Sequence, residues 1–466
     1  MSTEPLLGEM ATTSTRKNII IIGGSNTGLM HGVVLKRLGH NVRILEQNCQ
    51  SERADLAAGI TTHLQFERFM EVHDRSKEPW SIASPGIQWL NRDAGVKRVI
   101  KKPLQMTSWS LIYYRLRANF DGYASSFCAR PPLADEGDGT AVFDLGKKAT
   151  ELSRVDDSVR VDYISLIDDQ KPGTFYADLV ILADGASSNL RQNLFPDVKR
   201  DYAGYVAFRG TVDEDLVPDP VRQAFDEKLT YFCFKGNYIL MYIIPGASGS
   251  LQPGHRRYNW VWYHPLAAAS PALTQIMTDR SGTLHRTTLP AGSMDPLAWA
   301  AYKQLAHSQM CTPFATLVSL TTDPFVTAVT DVSCPRAAAW DNRVLIAGEA
   351  LRLVRPHMAL STTASARQAL LLEQVLFFCR GRGQQQQQQP QLSLEDWERK
   401  VLYDATLDAL KSGAFGTALL YGPLAAAGWC GRLLLAVIRA KLPFGFVFSA
   451  LPESAATKKS GSSRDR

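Results

Sequence analysis

The sequence predicts an α/β fold in which a doubly wound parallel-sheet domain is interleaved with an antiparallel-sheet domain and followed by C-terminal helices. Short apolar strands that run into polar turns or end on an acid, within residues 19–28, 178–188 and 343–349, predict the parallel sheet. Runs of aromatic and β-branched residues between Gly, Pro and Ser loops, within residues 202–263, predict the antiparallel sheet. Helical periodicity from residue 392 onward predicts the terminal helices.

A glycine turn follows the first apolar strand, Ile19–Ile22. Gly23 and Gly24 allow a turn that leaves room for a pyrophosphate, and Gly28 lets the next helix pack close to the strand. The first turn of that helix directs free N–H groups and its positive dipole end at a phosphate. Ser25 replaces the middle glycine of G-x-G-x-x-G; its side chain narrows the approach but can donate a hydrogen bond. The pattern predicts a Rossmann-like dinucleotide site.

The second strand of this unit ends on an acidic residue, Glu46. A carboxylate at this distance from Gly23 is placed to accept a hydrogen bond from the ribose of an adenosine group. A solvated strand end is the competing interpretation for Glu46. Farther along, Gly59 would let the backbone pass close to the cofactor. A doubly wound domain with an empty turn is the alternative to dinucleotide binding.

Length, charge and cysteine content narrow the class of protein. A chain of 466 residues can form two domains, and a net charge of +6 without a basic cluster argues against nucleic-acid binding. Seven scattered Cys with no C-x-x-C pair argue against a zinc ribbon or a disulfide framework and predict a reducing, cytoplasmic location. No metal-ligand spacing stands out, and residues 1–17 lack the apolar core of a secretory signal.

We predict an interleaved domain organisation from these patterns. The predicted segments are 1–16 (disordered N-terminus), 17–80, 105–200 and 331–380 (dinucleotide-binding domain), 81–104 and 201–330 (substrate domain), 381–391 (poly-Gln loop), 392–411 (helical segment) and 412–466 (apolar C-terminal segment and polar tail).

The apolar C-terminal segment leaves several interpretations open. Residues 412–431 carry no charge, and the apolar character continues to Ile438. The length suits a membrane helix, but six breakers interrupt it: Gly413, Gly416, Gly422, Pro423, Gly428 and Gly431. The segment is either a helix packed on the body or on a second subunit of a homodimer, a peripheral membrane contact, or a true membrane span.

Three strand-end motifs stand in order along the chain: the glycine turn with Glu46, Ala183-Asp184-Gly185, and Gly348-Glu349. Their order and separations resemble the class A flavoprotein monooxygenases, the single-component aromatic hydroxylases of the p-hydroxybenzoate hydroxylase type, over residues 17–416. The strings at 202–212, 259–263 and 355–357 are similar to the branch around 2,6-dihydroxypyridine hydroxylase.

This resemblance implies FAD as cofactor, NADPH or NADH as reductant, and O2 and a small aromatic or enolic molecule as co-substrates. It implies that Glu349 holds the ribityl chain and that Asp184 and Gly185 close the site near the pyrophosphate. The segment 355–363 would cover the flavin ring, with Pro356 and His357 in it. Backbone amides of Ser361 and Thr362 would face the flavin and stabilise negative charge on its reduced form. For His357 a structural role competes with a catalytic or substrate-binding one.

The sequence departs from the family pattern at three positions. Ser25 replaces the middle glycine, Glu349 stands where the family usually has Asp, and Ser108 stands where many relatives have an Arg or Gln that grips the cofactor. A flavin-dependent epoxidase or oxidase, or a flavin-binding partner protein that has lost catalysis, therefore stay as alternatives. A setting in fungal-type secondary metabolism is a further expectation.

Side chains of the antiparallel sheet are expected to divide between core and substrate pocket, because alternate residues of a strand face opposite sides. The aromatic candidates are Tyr205, Phe208, Phe232, Phe234, Tyr242, Trp262 and Tyr263. Arg209, on the same strands, is expected in a surface salt bridge, with a substrate contact as the alternative. Arg191 is expected to anchor the turn after Asp184.

Overall fold

The structure of the protein, a computed structural model, is described for residues 16–52, 58–378 and 392–441. The predicted disordered N-terminus (all but its last residue), the poly-Gln loop and the polar tail lie outside these ranges. Helices and strands are numbered below in chain order.

A six-stranded sheet forms the core of the first domain. Its strands are β1 (Asn18–Ile22), β2 (Asn41–Leu45), β8 (Ala141–Asp144), β12 (Leu179–Leu182), β19 (Ala338–Ala339) and β20 (Val344–Ile346). Their order is β19-β20-β12-β1-β2-β8, and all neighbours are parallel except β19 and β20. Ile19–Ile22 are buried at the centre, because neighbouring strands pair with both edges of β1. The predicted α/β fold class is confirmed.

A larger, mostly antiparallel sheet forms the second layer. Its strands are β5 (Ile87–Leu90), β6 (Val96–Ile100), β13 (Arg200–Asp213), β14 (Leu229–Phe234), β15 (Asn237–Ile244), β16 (Arg257–Pro265), β17 (Thr288–Leu289), β18 (Phe325–Ser333) and β21 (Arg352–Leu353). The order is β17-β18-β13-β16-β15-β14-β5-β6, with β21 paired to β18. Strands β5 and β6 pair antiparallel, with Asp93 in the turn between them.

Two three-stranded sheets complete the strands. The first contains β3 (Gly59–Thr62), β4 (Ile82–Ser84) and β7 (Leu104–Ser108). The second contains β9 (Lys147–Val155), β10 (Ser158–Ser165) and β11 (Lys171–Ala177).

The described ranges contain eleven α-helices and four short 3₁₀ turns. The helices are α1 (Asn26–Arg37), α2 (Leu64–His73), α3 (Trp109–Asp121), α4 (Asn189–Leu194), α5 (Asp219–Phe225), α6 (Pro271–Met277), α7 (Pro296–Gln309), α8 (Thr312–Leu320), α9 (Ser361–Phe378), α10 (Leu394–Tyr421) and α11 (Ala427–Lys441). The 3₁₀ turns are Glu214–Leu216, Ala247–Gly249, Gly348–Ala350 and Pro356–Met358.

The two faces of the large sheet differ, as strand alternation requires. Phe208, Trp260 and Trp262 point into a buried core that includes residues of α5, α7 and α8. Tyr205 and Tyr263 belong to a separate cluster on the opposite side. Part of that second side borders a cavity.

Helix α10 differs from the prediction, because it continues beyond residue 411 to Tyr421. Gly413 and Gly416 lie inside it, so the expectation that these two glycines break the segment is wrong. Each is a point of close packing instead: a Cβ on Gly413 would lie 2.5 Å from the Trp429 ring, and one on Gly416 would overlap the His357 ring. The break falls at Gly422, where the chain turns into α11.

Candidate functional site

A cavity of about 430 Å³ lies at the carboxyl ends of β1, β12 and β20. In open α/β sheets, ligands bind in the crevice at the carboxyl ends of the strands, at the point where the strand order changes direction. Here that point is next to β1. Eight of the predicted cofactor residues line it: Gly23, Ser25, Glu46, Asp184, Gly185, Glu349, Ser361 and Thr362. The cavity therefore brings together the three strand-end motifs, which are separated by more than a hundred residues in sequence.

The glycine turn has the geometry that a close phosphate approach needs. Gly23 adopts a φ of +103°, and a Cβ on it would overlap the carbonyl group of Ala183. A Cβ on Gly28 would overlap the Gly23 carbonyl, so only glycine lets α1 start so near the strand. Gly24 and Gly28 lie behind the cavity wall rather than in it.

Glu46 is bound to the glycine turn by hydrogen bonds. Its Oε2 accepts from the backbone N–H of Gly24 at 2.8 Å, and its Oε1 accepts from that of Asn48 at 2.9 Å. Each carboxylate oxygen has a second lone pair. These two hydrogen bonds hold the Glu46 carboxylate at the cavity wall.

Asp184 presents a buried acceptor with no partner among the described residues, its Oδ1 atom. Burial raises the pKa of Asp184 to about 6, although a hydrogen bond from Ser188 and the charge of Arg191 oppose this rise. Arg191 donates to the carbonyl oxygens of Ala186 at 3.0 Å and Ala350 at 3.1 Å. It therefore ties the Asp184 turn to the Glu349 turn, which confirms its predicted anchoring role.

Glu349 stands between the buried residues Gly348 and Ala350, and its exposed side chain opens onto the cavity. Burial raises the pKa of Glu349, and the positive charges of Arg200 and Arg209 oppose this shift. The unpartnered Asp184 oxygen and the two glutamate carboxylates offer acceptors to an occupant rich in hydroxyl groups. That set of groups fits the ribose and ribityl hydroxyls of FAD.

A second cavity, of about 480 Å³, adjoins the first. Both cavities share Glu349, Ser361 and Thr362 in their walls. The other walls are mainly apolar and aromatic, and include Leu229, Tyr231, Leu240, Tyr242, Val261, Tyr263, Met358 and Phe415. Of the predicted site residues, Gly59, Pro356 and His357 line this cavity rather than the first.

Arg209 lines the second cavity, so the expectation of a surface salt bridge is wrong. Within the described part of the chain its guanidinium forms no hydrogen bond or salt bridge, and it lies 6.0 Å from the centre of the Phe325 ring. Ala207, two residues earlier on β13, lines the same cavity. Strand alternation predicts that Tyr205, Ala207 and Arg209 share one face of β13. That this face borders a cavity depends on how β13 pairs within the sheet.

His357 is enclosed by two tyrosines. Its Nε2 lies 2.6 Å from the Tyr205 hydroxyl, and its Nδ1 is hydrogen-bonded to the Tyr238 hydroxyl. Burial, together with a smaller contribution from the charge of Arg355, lowers the pKa of His357 to about 3. A neutral imidazole with both nitrogens occupied favours a structural role, although its ring still reaches the cavity wall.

Ser108 is not in either cavity wall. Its hydroxyl caps α3 by accepting from the Leu111 N–H at 3.2 Å, and the next residue, Trp109, lines the first cavity. Lys147 and Lys148 on β9 also line the first cavity. The sequence analysis missed Trp109, Lys147 and Lys148. These residues lie at the start of α3 and of β9, which reach the cavity only through the tertiary fold, and no sequence motif marks such positions.

The described ranges lack both a metal-binding cluster and a membrane-spanning helix. They contain no cluster of three or more His, Cys, Asp or Glu side chains that could hold a metal ion. In the same ranges, no helix is long and apolar enough to cross a bilayer.

Comparison with known proteins agrees with this geometry. A family model described as FAD binding domain-like matches residues 202–331. The 2,6-dihydroxypyridine 3-monooxygenase of Paenarthrobacter nicotinovorans is 27% identical over 392 residues, covering 83% of this chain and 88% of that protein. The solved structure of 2,6-dihydroxypyridine-3-hydroxylase from Arthrobacter nicotinovorans superposes with a TM-score of 0.72 at 25% identity, covering 88% of this chain and 94% of that one.

These similarities support an FAD-dependent monooxygenase of the class A type. A variant of Klebsiella pneumoniae HpxO, solved in complex with FAD, shares the monooxygenase fold at a TM-score of 0.56 and 16% identity, covering 91% of this chain and 93% of that one.

Proposed function

We propose that this monooxygenase uses NADPH or NADH and O2 to hydroxylate a planar aromatic or enolic small molecule. The observation that carries the proposal is the junction of the two cavities at Glu349, Ser361 and Thr362. A hydroxyl-binding, glycine-lined cavity meets an aromatic-lined one there, so a cofactor in the first can present its reactive end to a substrate in the second.

Individual residues are assigned to FAD as part of this proposal. Glu46 accepts a ribose hydroxyl, Glu349 accepts a ribityl hydroxyl, and the free amides of Ser361 and Thr362 at the start of α9 face the flavin ring. The extra methylene of Glu349, compared with Asp, extends its reach into the junction. When bound and reduced, FAD supplies the activation of O2.

The protein's own groups prepare the substrate. Apolar walls exclude water from the second cavity, which protects a reactive oxidant and strengthens electrostatic interactions inside. Arg209 has a free guanidinium there, and we assign it to an acidic oxygen of the substrate. A guanidinium stabilises the deprotonated phenol or enol, and deprotonation makes the ring carbon more nucleophilic.

A substrate screen tests the reaction. We expect purified protein to carry FAD, to oxidise NADPH slowly alone, and to oxidise it much faster with the correct aromatic compound. Label from ¹⁸O2 gas should appear in the product, because the inserted atom comes from molecular oxygen. Label from ¹⁸O-water only, or product formation without O2, would contradict hydroxylation and favour the oxidase alternative. Bound FAD with no stimulating compound would favour the partner protein without catalysis.

We further propose that α11 makes a peripheral contact with an anionic membrane surface. Its outer face exposes Leu434 (61%) and Ile438 (45%), and Leu424 just before it is 91% exposed. Arg432 and Arg439 are exposed beside this apolar face and form no salt bridge within the described residues. Amphipathic helices with basic residues at the edge of an apolar face bind anionic bilayers.

Charge decides between the possible occupants of this face. Residues 412–452 contain no Asp or Glu, so the adjoining chain offers no acidic partner for the two arginines. A second copy of the chain would bring the same basic face to the contact, which costs electrostatic repulsion. An anionic lipid surface satisfies both the apolar residues and the arginines.

Sedimentation with lipid vesicles tests the contact. Full-length protein should sediment with phosphatidylserine-containing vesicles, less so at high salt, and the double variant Leu434→Gln/Ile438→Gln should stay in the supernatant. Leu297→Gln is the matched control, because Leu297 is 80% exposed on a different helix. Wild-type protein that never sediments with vesicles would refute the proposal. A concentration-dependent dimer that the double variant abolishes would assign the face to a homodimer instead.

A further inference from the structure

The last long helix, α10, packs directly on the segment that leads to the cavity junction. Its Gly416 faces the His357 ring so closely that a Cβ would overlap the ring. One turn earlier, the Ser412 hydroxyl donates to the carbonyl oxygen of Arg355 at 2.6 Å. Helix α10 therefore contacts the segment 355–358 at two residues, Arg355 and His357.

Further contacts join α10, and α11 after it, to the site and to Arg355. Phe415, next to Gly416, lines the second cavity and meets the Tyr231 ring edge-on at 6.2 Å between centroids. On the outer side, the Arg355 guanidinium lies 4.9 Å from the centre of the Trp429 ring of α11. Arg355 is also held by Asp331, with a nitrogen-to-oxygen distance of 2.6 Å.

The His357 ring cannot yield easily, because it is fixed on every side. Tyr205 and Tyr238 bind its two nitrogens, and the ring is buried to 3% exposure. Buried interiors transmit a displacement rather than absorb it, since they are close-packed. Any atom added at Gly416 must therefore move the 356–358 turn or the helix itself.

We propose that Gly416 is a positioning residue: its missing side chain seats His357 and thereby sets the place of the 356–358 turn at the junction of the two cavities. Residues 412–416 of α10 are then part of the unit that shapes the site and not an appended tail. This inference rests on the proposed function only for the identity of the bound cofactor, because the packing itself is independent of the reaction.

The test compares full-length, FAD-loaded variants by their rate of FAD release, followed by the fluorescence of the freed flavin, and by Tm. Gly416→Ala should lower Tm and speed FAD release roughly tenfold or more, since a misplacement of about 1 Å in a site can cost on the order of 100-fold in function. Gly431→Ala is the matched control: nothing lies within 4 Å of a Cβ there, so FAD release should match wild type.

A second variant separates positioning from general destabilisation. In a His357→Ala background the ring that Gly416 accommodates is gone, so adding Gly416→Ala should change FAD release far less than in wild type. A Gly416→Ala protein with lowered Tm but wild-type FAD release would overturn the proposal, and so would fully additive effects of the two substitutions. Because neither readout requires turnover, a failure of the proposed hydroxylation would leave this test unaffected.

Discussion

The buried carboxyl group of Asp184 predicts a pH-dependent stability that one substitution should remove. Burial raises the pKa of this group from 3.8 to about 6. A folded-state pKa above the unfolded value contributes stability that is fully present below pH 3.8 and is lost as pH rises through about 6. The rise corresponds to about 3 kcal/mol of folding free energy, at about 1.4 kcal/mol for each pH unit.

The variant Asp184→Asn keeps the shape and removes the ionisation. We expect its free energy of unfolding, relative to wild type, to increase by about 2–3 kcal/mol between pH 4 and pH 7. The measurement is urea unfolding of FAD-free wild type and variant at several pH values, followed by Trp fluorescence. The absolute stabilities will vary for other reasons, so the quantity that matters is the difference between the two proteins at each pH.

A second variant tests the direction of the Asp184 pKa shift. The hydrogen bond from Ser188 lowers the pKa of Asp184, so Ser188→Ala should raise that pKa further and make the loss of stability with rising pH larger. A difference between wild type and Asp184→Asn that stays constant from pH 4 to pH 7 would refute the reasoning. The same holds for a difference that decreases with pH, because it would mean that the carboxylate is stabilised in the fold.

Three further outcomes follow from the site. Glu46→Ala or Glu349→Ala should weaken FAD binding by about ten- to a hundredfold, because a hydrogen bond to a charged group contributes roughly 1.5–3 kcal/mol. An unchanged dissociation constant, measured by calorimetry, would show that the substituted residue does not bind FAD. Arg209→Ala should raise the KM for the substrate by about ten- to a hundredfold with FAD affinity unchanged, whereas equal KM values would show that Arg209 does not contact substrate. Gly28→Ala should abolish FAD binding and lower Tm, because the added Cβ would overlap the Gly23 carbonyl. Gly137→Ala is the control, since no heavy atom lies within 4 Å of a Cβ at that position.

The three strand-end motifs could be predicted from the sequence because each is written in neighbouring residues. Four consecutive Ile, a glycine turn and an acid at the end of the next strand give strand, turn and acceptor within 28 residues of chain, Ile19 to Glu46. The structure confirms the fold class and gathers the motifs in one cavity. The domain boundaries and the roles of individual cofactor residues stay predictions, as does the setting in secondary metabolism.

What the sequence could not decide is which distant residues meet. Arg209 looked like a surface residue, and only the pairing of β13 with β16 and β18 directs it into a cavity. Gly413 and Gly416 looked like helix breakers, because glycine is a poor helix former when it is judged alone. In the fold they let α10 pack closely against two rings, Trp429 at Gly413 and His357 at Gly416. Local motifs depend on residues that are neighbours in the sequence, so they can be predicted from the sequence alone. The contacts of Arg209, Gly413 and Gly416 join residues that are far apart in the sequence, so they form only when the sheets and helices pack.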